Sequence, residues 1–365
     1  MMAPSPLGAE IRARIAAHGP LPVADYMALC LAHPEHGYYM TRDPLGARGD
    51  FITAPEVSQM FGELIGVWMA AVWRQMDGPP RVRLVELGPG RGTLMSDALR
   101  ALKVMPAFLV AATLHLVEIS PVLKAKQQEM LSGVAVPVSW HASFDEVPEG
   151  PAIVIANEFF DALPVHQAVQ TPRGWCERCV GLDAEALVFT HAREPTTNFS
   201  TRLPASARDA PEGAIFEWRD DNAAAALGNR LAQQGGAALV IDYGHAQSTV
   251  GDTLQAVGHH AFASTLATPG ELDLTAHVDF DALMRASMSA GAATFGPLTQ
   301  GELLQRLGIA ARAAKLKGKA SAEAAGQIDA AVARLTHSGR TDMGTLFKAV
   351  ALAHPALGMP PTFEL

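Results

Sequence analysis

The sequence predicts an α/β protein with a doubly wound, mainly parallel sheet. Three observations lead there. From Arg81 onward, short apolar runs alternate with helical stretches. That alternation is the pattern of a parallel sheet with helices on both faces. One run, residues 152–156, is apolar throughout, as a strand buried on both faces should be. The first strand also ends in a glycine-rich loop that leads directly into a helix, a connection that brings backbone close to a ligand.

Composition supports a large core and narrows the function. The chain has 365 residues, 49% apolar and 18% charged, enough for one large domain or two ordinary ones and the opposite of a disordered composition. A net charge of −9 argues against a partner with a phosphate backbone and leaves a basic peptide open. Three cysteines exclude a disulfide framework. No run of 18 apolar residues predicts a membrane span. The first 19 residues lack the apolar core of a secretory signal and the Ser/Arg richness of a transit peptide. A cytoplasmic protein is expected.

Each element has its own signal. Residues 7–32 read as two short helices broken at Gly19-Pro20-Leu21-Pro22, with Ile11, Ile15, Tyr26, Leu29 and Cys30 at helical spacing. Residues 33–55 are rich in turn formers and read as a loop. An amphipathic helix is expected over 56–76, with Val57, Phe61, Leu64, Ile65, Trp68, Met69 and Val72 on its apolar face. Strands are expected at 81–87, 113–119, 136–141, 152–156 and 237–241, with closing strands at 293–298 and 347–354. Helices at 93–102, 121–130, 221–234 and within 272–290 connect them. Antiparallel strands at 166–170, 175–181 and 187–190 form an inserted hairpin, followed by a polar loop at 195–213. Residues 301–335 are helical. The resulting organisation is an N-terminal helical lid segment (1–76), the first half of the main domain (77–164), the inserted hairpin region (165–220) and the second half (221–365). That second half carries a helical insertion at about 260–345.

The chemistry concentrates at Val85-Glu86-Leu87-Gly88-Pro89-Gly90-Arg91-Gly92-Thr93. Glycines let the backbone approach a ligand, and the helix start offers unpaired amides. The dinucleotide pattern is GxGxxG, but here the third glycine comes one residue early. Glu86 also precedes the first glycine by two positions. An acid there disfavours a pyrophosphate and suits a cation, such as the amino and sulfonium region of S-adenosylmethionine. The second strand ends at Glu118, a carboxylate able to accept from both ribose hydroxyls. A plain glycine turn flanked by surface acids is the bland alternative.

The fourth strand ends Asn157-Glu158-Phe159-Phe160-Asp161-Ala162-Leu163-Pro164. Ligands in parallel α/β sheets lie beyond the carboxyl ends of the strands, so this run falls beside the methyl donor. Glu158 and Asp161 can hold a guanidinium bidentately and offset its repulsion by a second cation. The same letters also read as a helix start, with Asn157 as cap and acids in the first turn. Spacing supports both readings equally.

The string from Gly49 to Glu63 (Gly-Asp-Phe-Ile-Thr-Ala-Pro-Glu-Val-Ser-Gln-Met-Phe-Gly-Glu) is highly particular. With the runs from Glu86 to Thr93, Asn157 to His166, Ile241 to Gly244 and Leu272 to Phe280, it resembles the MidA family. The resemblance extends from about Tyr38 to His354. It implies a Rossmann-like class I methyltransferase fold that uses S-adenosylmethionine, with an N-terminal helical lid. It also implies N-methylation of a protein arginine; the mitochondrial member dimethylates a complex I core subunit symmetrically during assembly. By motif match, Gly88, Gly90, Gly92 and Thr93 form the cofactor loop with Glu86, and Glu118 is the ribose acid. Residues 53–59, with Thr53 and Pro55, form a lid over the cofactor, and Asn157 lies beside it. The carboxylates Glu158 and Asp161 are the candidate catalytic pair. The short N-terminus fits a bacterial member.

Other features have plainer readings. Cys176 and Cys179 fall in the inserted hairpin with only His166 and His191 near them in sequence, too few for a zinc site; they read as strand residues near a surface. His33 and His36 read as loop-packing or capping residues. His259 and His260 read as exposed strand ends, and His277 as a candidate for shaping the substrate pocket. Asp242-Tyr243-Gly244 ends a central strand near the site. It reads equally as a turn or as a substrate contact. Trp175 offers a surface for a dimer. Two further functions stay open on the residues: a non-catalytic assembly factor, and a nicotinamide oxidoreductase. A scaffold needs neither the glycines nor the two acids, and the early third glycine disfavours a nicotinamide.

Overall fold

The computed structural model describes residues 5–44, 46, 52–258 and 261–364. At the N-terminus, α1 (Pro6–His18) starts where the Ser5 hydroxyl accepts from the Gly8 amide at 3.1 Å. β1 (Leu21–Pro22) and α2 (Val23–Ala32) follow, and α2 buries Tyr26, Met27 and Cys30. Within the expected loop, Tyr38–Thr41 form a short helix, α3. The single helix expected over 56–76 is divided into α4 (Ala54–Val57) and α5 (Gln59–Gln75). The break is at Ser58, which is extended and caps α5 by accepting from the Met60 amide at 3.2 Å. Serine favours such caps because its hydroxyl satisfies an orphan amide.

The main sheet begins with β2 (Val82–Leu87), followed by α6 (Thr93–Ala101), α7 (Pro106–Ala111), β3 (Ala112–Val117), α8 (Pro121–Met130), β4 (Val138–His141) and β5 (Ala152–Asn157). The chain then leaves the sheet for β6 (His166–Thr171), β7 (Gly174–Asp183), β8 (Ala186–His191) and β9 (Ile215–Trp218). It returns through α9 (Asn222–Gln234) and β10 (Gly236–His245). A small sheet of β11 (Gln255–Gly258), β12 (Ala261–Ala263) and β13 (Asp273–Thr275) comes next, then β14 (Val278–Asp279), α10 (Phe280–Ser289) and β15 (Ala293–Thr299). Four helices, α11 (Gln300–Arg306), α12 (Ile309–Lys317), α13 (Ala322–Thr336) and α14 (Met343–Leu346), precede β16 (Phe347–Ala353).

The main sheet runs β15-β16-β10-β5-β2-β3-β4. β10, β5, β2, β3 and β4 are mutually parallel, and β16 and β15 are antiparallel additions at one edge. Alternation along the strands divides the core in two. Leu84, Ile153, Leu239 and Ala351 face α5 and α6, whereas Val85, Val154, Val240 and Leu352 face α9 and α10. The doubly wound expectation therefore holds.

Strand order reverses between β2 and β5, which pair in register from Arg83↔Ala152 to Leu87↔Ala156. Such a switch point opens a crevice beyond the carboxyl ends of the two strands. The glycine loop leaves β2 at that crevice, and the Asn157–Pro164 run leaves β5 beside it.

Four expectations are revised. The inserted region is a five-stranded antiparallel sheet, ordered β1-β7-β6-β9 with β8 on β7, so residues of the N-terminal segment complete it. Its own small core packs Trp175 against Phe199 and Phe216. Trp175 is 7% exposed and offers no surface for a partner. The helical insertion expected at about 260–345 is narrower. β12 and β13 precede it, α10 belongs to the core against α9, and only α11–α14 form the insertion. Cys176 and Cys179 are buried, not superficial, and have free thiols. They lie three positions apart on β7, so their side chains leave opposite faces. Among the described residues, no helix is long and apolar enough to cross a membrane.

Candidate functional site

A cavity of about 530 Å³ lies at the switch point. Thr53, Pro55, Glu86, Gly88, Gly90, Thr93, Glu118, Asn157, Glu158 and Asp161 all line it. Gly92 does not; it begins α6 in the left-handed region at φ +83° and backs onto Leu131. Residues 49–51 of the family string, and His259 and His260, lie outside the described residues.

The β2 side is built from local bonds. Gly88 stands at φ +61°, where a Cβ would come within 3.0 Å of the Phe159 ring. Only glycine suits both the conformation and the space. Glu86 is buried, and its Oε2 has no partner among the described residues. Burial, then the nearby Glu118, pushes its carboxyl well above the usual range. Glu118 is held in place: its Oε1 accepts from the Ser120 amide at 2.7 Å and its Oε2 from Gln127 Nε2 at 3.1 Å. Burial raises its carboxyl too.

Gln127 was not singled out by the sequence. Fully buried, it donates to the Gly90 carbonyl at 2.7 Å as well as to Glu118, and accepts from Trp140 Nε1 at 2.9 Å. It ties the glycine loop to the acid on the next strand. Nothing in its immediate sequence signals this, because it is one of two adjacent glutamines on a polar helix.

The N-terminal segment reaches both halves of the site. Thr93 Oγ1 donates to Glu56 Oε1 at 2.5 Å, and Arg91 Nε donates to both Asp43 oxygens at 3.0 and 3.1 Å. The Ala54 amide donates to Glu158 Oε1 at 3.2 Å. α4 therefore sits against the glycine loop and the acidic turn, where a lid should be.

The β5 side is a turn, not a helix start. No helix follows Asn157, and Glu158 adopts φ +51°, rare for a residue with a side chain. Asp242 Oδ2 accepts from the amides of Phe159, Phe160 and Asp161 at 3.2, 2.9 and 3.2 Å. The expectation for Asp242 thus resolves toward structure, while its neighbour Tyr243 lines the cavity. The Tyr243 hydroxyl lies beside the Asp161 carboxyl and Thr275. His277 also lines the cavity, edge-on to Tyr243 with ring centroids 5.6 Å apart. Burial lowers its pKa. Tyr39 reaches in from α3 and donates to Asp273 Oδ1 at 2.8 Å.

Burial, then the Asp161 charge, pushes Glu158 up to about 8. Burial raises Asp161 as well, partly offset by the Tyr243 hydroxyl beside it. Glu86 Oε2, Asn157 Oδ1 and Asp161 Oδ1 are buried without a partner among the described residues. All three are acceptors on one cavity. A buried acceptor without a donor is costly, so the complementary ligand carries donors and positive charge. The amino, sulfonium and ribose groups of S-adenosylmethionine fit that demand on the β2 side.

The comparisons agree. A family model described as "Putative S-adenosyl-L-methionine-dependent methyltransferase" matches residues 64–298. The mitochondrial protein arginine methyltransferase NDUFAF7 of Danio rerio is 39% identical over 83% of this chain and 76% of its own. The mitochondrial homologue of Drosophila melanogaster is 36% identical over 95% of this chain and 84% of its own. A crystal structure from Burkholderia thailandensis bound to S-adenosyl-homocysteine superposes with a TM-score of 0.86 at 31% identity, covering 100% of this chain and 97% of that one. The cytoplasmic location expected from the N-terminus is corrected by these curated relatives, which are named mitochondrial. S-adenosylmethionine is the cofactor. The protein belongs to the MidA family of S-adenosylmethionine-dependent methyltransferases.

Proposed function

We propose that this protein methylates a guanidino nitrogen of an arginine in a protein substrate, and that the substrate is a core subunit of respiratory complex I. The observation that carries the reading is the set of partnerless acceptors around one cavity, extended on the β5 side by Glu158 and Asp161. An arginine guanidinium supplies planar donors and a permanent charge. The relatives' names, protein arginine methyltransferase, support the same acceptor.

The cofactor supplies an electrophilic methyl group on a positively charged sulfur. Glu86 offsets charge near the loop, Gly88 and Gly90 let backbone approach, and Glu118 accepts from ribose hydroxyls. Thr53 and Pro55 cover the site from α4, with Thr93 and Asn157 at its walls. Glu158 and Asp161 grip the guanidinium and aim one nitrogen, which lowers the barrier by orientation. Ionised by the two cations beside it, Glu158 accepts the proton that the nitrogen sheds on methylation.

The test is calorimetric titration with S-adenosylmethionine and S-adenosyl-homocysteine, with NAD(H) as control, followed by mass spectrometry of complex I subunits incubated with the enzyme. Micromolar binding of the adenosyl ligands and a mass increase on one arginine are expected. Methylation confined to a residue other than arginine overturns the acceptor assignment.

A further inference from the structure

The turn carrying Glu158 and Asp161 is gripped from two sides. On its amide side stands Asp242, with the three bonds given above. On its carbonyl side stands Arg219, which follows β9 of the inserted sheet. Arg219 Nε donates to the Leu163 carbonyl at 3.1 Å and Nη2 to the Asp161 carbonyl at 3.1 Å. Nη2 also reaches the Ala276 carbonyl at 2.7 Å, and Nη1 the His277 carbonyl at 2.8 Å. The Ala276 amide returns a bond to the Asp161 carbonyl at 3.1 Å. Each of these bonds from the guanidinium ends on main chain, so one side chain staples the acidic turn to the segment bearing His277.

This arrangement spends the whole guanidinium fork on main chain. That planar fork normally meets a carboxylate or phosphate. Here the neighbouring negative charges are Glu217, Asp161 and Asp242, and no hydrogen bond among the described residues joins Arg219 to the Asp161 carboxylate. That carboxylate keeps Oδ1 toward the cavity without a partner. The cation stands behind the backbone and leaves the working oxygens available.

We propose that Arg219 is a positioning residue for methyl transfer, fixing the aim of the Asp161 carboxylate through the main chain of the 158–164 turn, with Asp242 as its counterpart. The proposal rests on the acceptor reading above. The groups facing Asp161 are Glu158 from the turn, Tyr39 from α3, Asp242 and Tyr243 from β10, and Arg219. Burial keeps both tyrosines neutral across the working range. Arg219 therefore contributes the cation that favours an ionised Asp161.

Two variants of the full chain separate geometry from charge. Arg219→Lys keeps the charge, but one ammonium cannot span four carbonyls. Arg219→Met removes charge and donors while filling the space. Hydrogen exchange at the amides of Phe159, Phe160 and Asp161, carbon-13 titration of the Asp161 carboxyl, and calorimetry with S-adenosyl-homocysteine are measured together. Both variants should bind that ligand within about twofold of wild type and lose at least about tenfold of the amide protection. The Asp161 midpoint should rise in Arg219→Met and stay in place in Arg219→Lys. Methyl transfer to the arginine-bearing subunit should fall about 100-fold in kcat, with KM for S-adenosylmethionine unchanged. Wild-type protection, titration and kcat in Arg219→Met overturn the proposal. If that variant loses ligand binding through misfolding, Arg219→Lys decides the matter: wild-type turn protection and kcat there also overturn it. If Glu158→Gln and Asp161→Asn both retain full activity, the acceptor reading fails instead, while exchange and titration still decide the role of Arg219.

Discussion

The two halves of the cavity are built differently. On the β2 side, Glu86, the glycine loop, Glu118 and Gln127 lie within about 40 residues of sequence, and Gln127 bonds the loop to Glu118 within that span. On the β5 side, the turn at 158–164 depends on Arg219, Asp242, Tyr243 and Ala276, all distant in sequence. A backbone φ of +51° at Glu158 persists because those partners over-determine it. A cofactor common to many proteins can be recognised by a contiguous loop and strand end. A particular acceptor needs groups assembled from across the fold.

The strongest way to break this comparison is to uncouple the halves. Glu158→Gln should leave cofactor affinity within about threefold and lower methyl transfer by about 100- to 1,000-fold, because a neutral amide neither offsets the guanidinium charge nor takes its proton. Calorimetry and a turnover assay check both numbers. A joint loss of binding and turnover would show that the halves are one unit.

The reciprocal change attacks the other half. Gly90 stands at φ +54° in the loop, and Gly90→Val places a branched side chain in a conformation that valine resists. Affinity for S-adenosylmethionine should fall by more than about 100-fold, while the thermal midpoint, read by calorimetry, drops modestly. Retained affinity removes Gly90 from the cofactor loop.

The difference between the halves also explains what the sequence made legible. The five parallel strands announced themselves by apolar runs, and Glu86, Gly88, Gly90 and Glu118 by their offsets from strand ends. The acidic turn was placed beside the site by strand order alone, and its helix-start alternative was discarded only by tertiary bonds from Asp242. β9 was missed because Phe216 and Trp218 supply only a short aromatic signal, and β12 and β13 are likewise too brief for periodicity to register. Gln127 and Arg219 left no signal because their partners are backbone carbonyls and a distant acid, which no local pattern encodes.

Gln127 allows a finer test within the local half. Gln127→Leu leaves the Gly90 carbonyl, Glu118 Oε2 and Trp140 Nε1 each short of one partner. Unmade bonds of this kind weaken a site without dismantling it. Cofactor affinity should fall about tenfold, with kcat at saturating cofactor nearly unchanged. An equal loss in kcat would mean that the loop also sets the geometry of transfer.

The smallest effect is one of pH. Glu158 titrates near 8 in the folded protein, above its ordinary value of 4.5, chiefly because burial disfavours the charged form. Below pH 4.5 it is protonated in both folded and unfolded chains, and its contribution to stability is fully present. As pH rises, the unfolded chain ionises first, so that contribution is lost progressively until about pH 8. The thermal midpoint of the ligand-free protein should therefore fall between those limits, and Glu158→Gln should flatten the slope by about 2–4 °C over the range. Cationic ligands should act in the opposite sense, because each favours the ionised carboxyl. Guanidinium acceptors should bind more tightly as pH rises through 8, with proton release visible as a buffer-dependent heat. A slope unchanged in Glu158→Gln would assign the titration to Glu86 or Asp242 and move the electrostatic centre of the site away from the acidic turn.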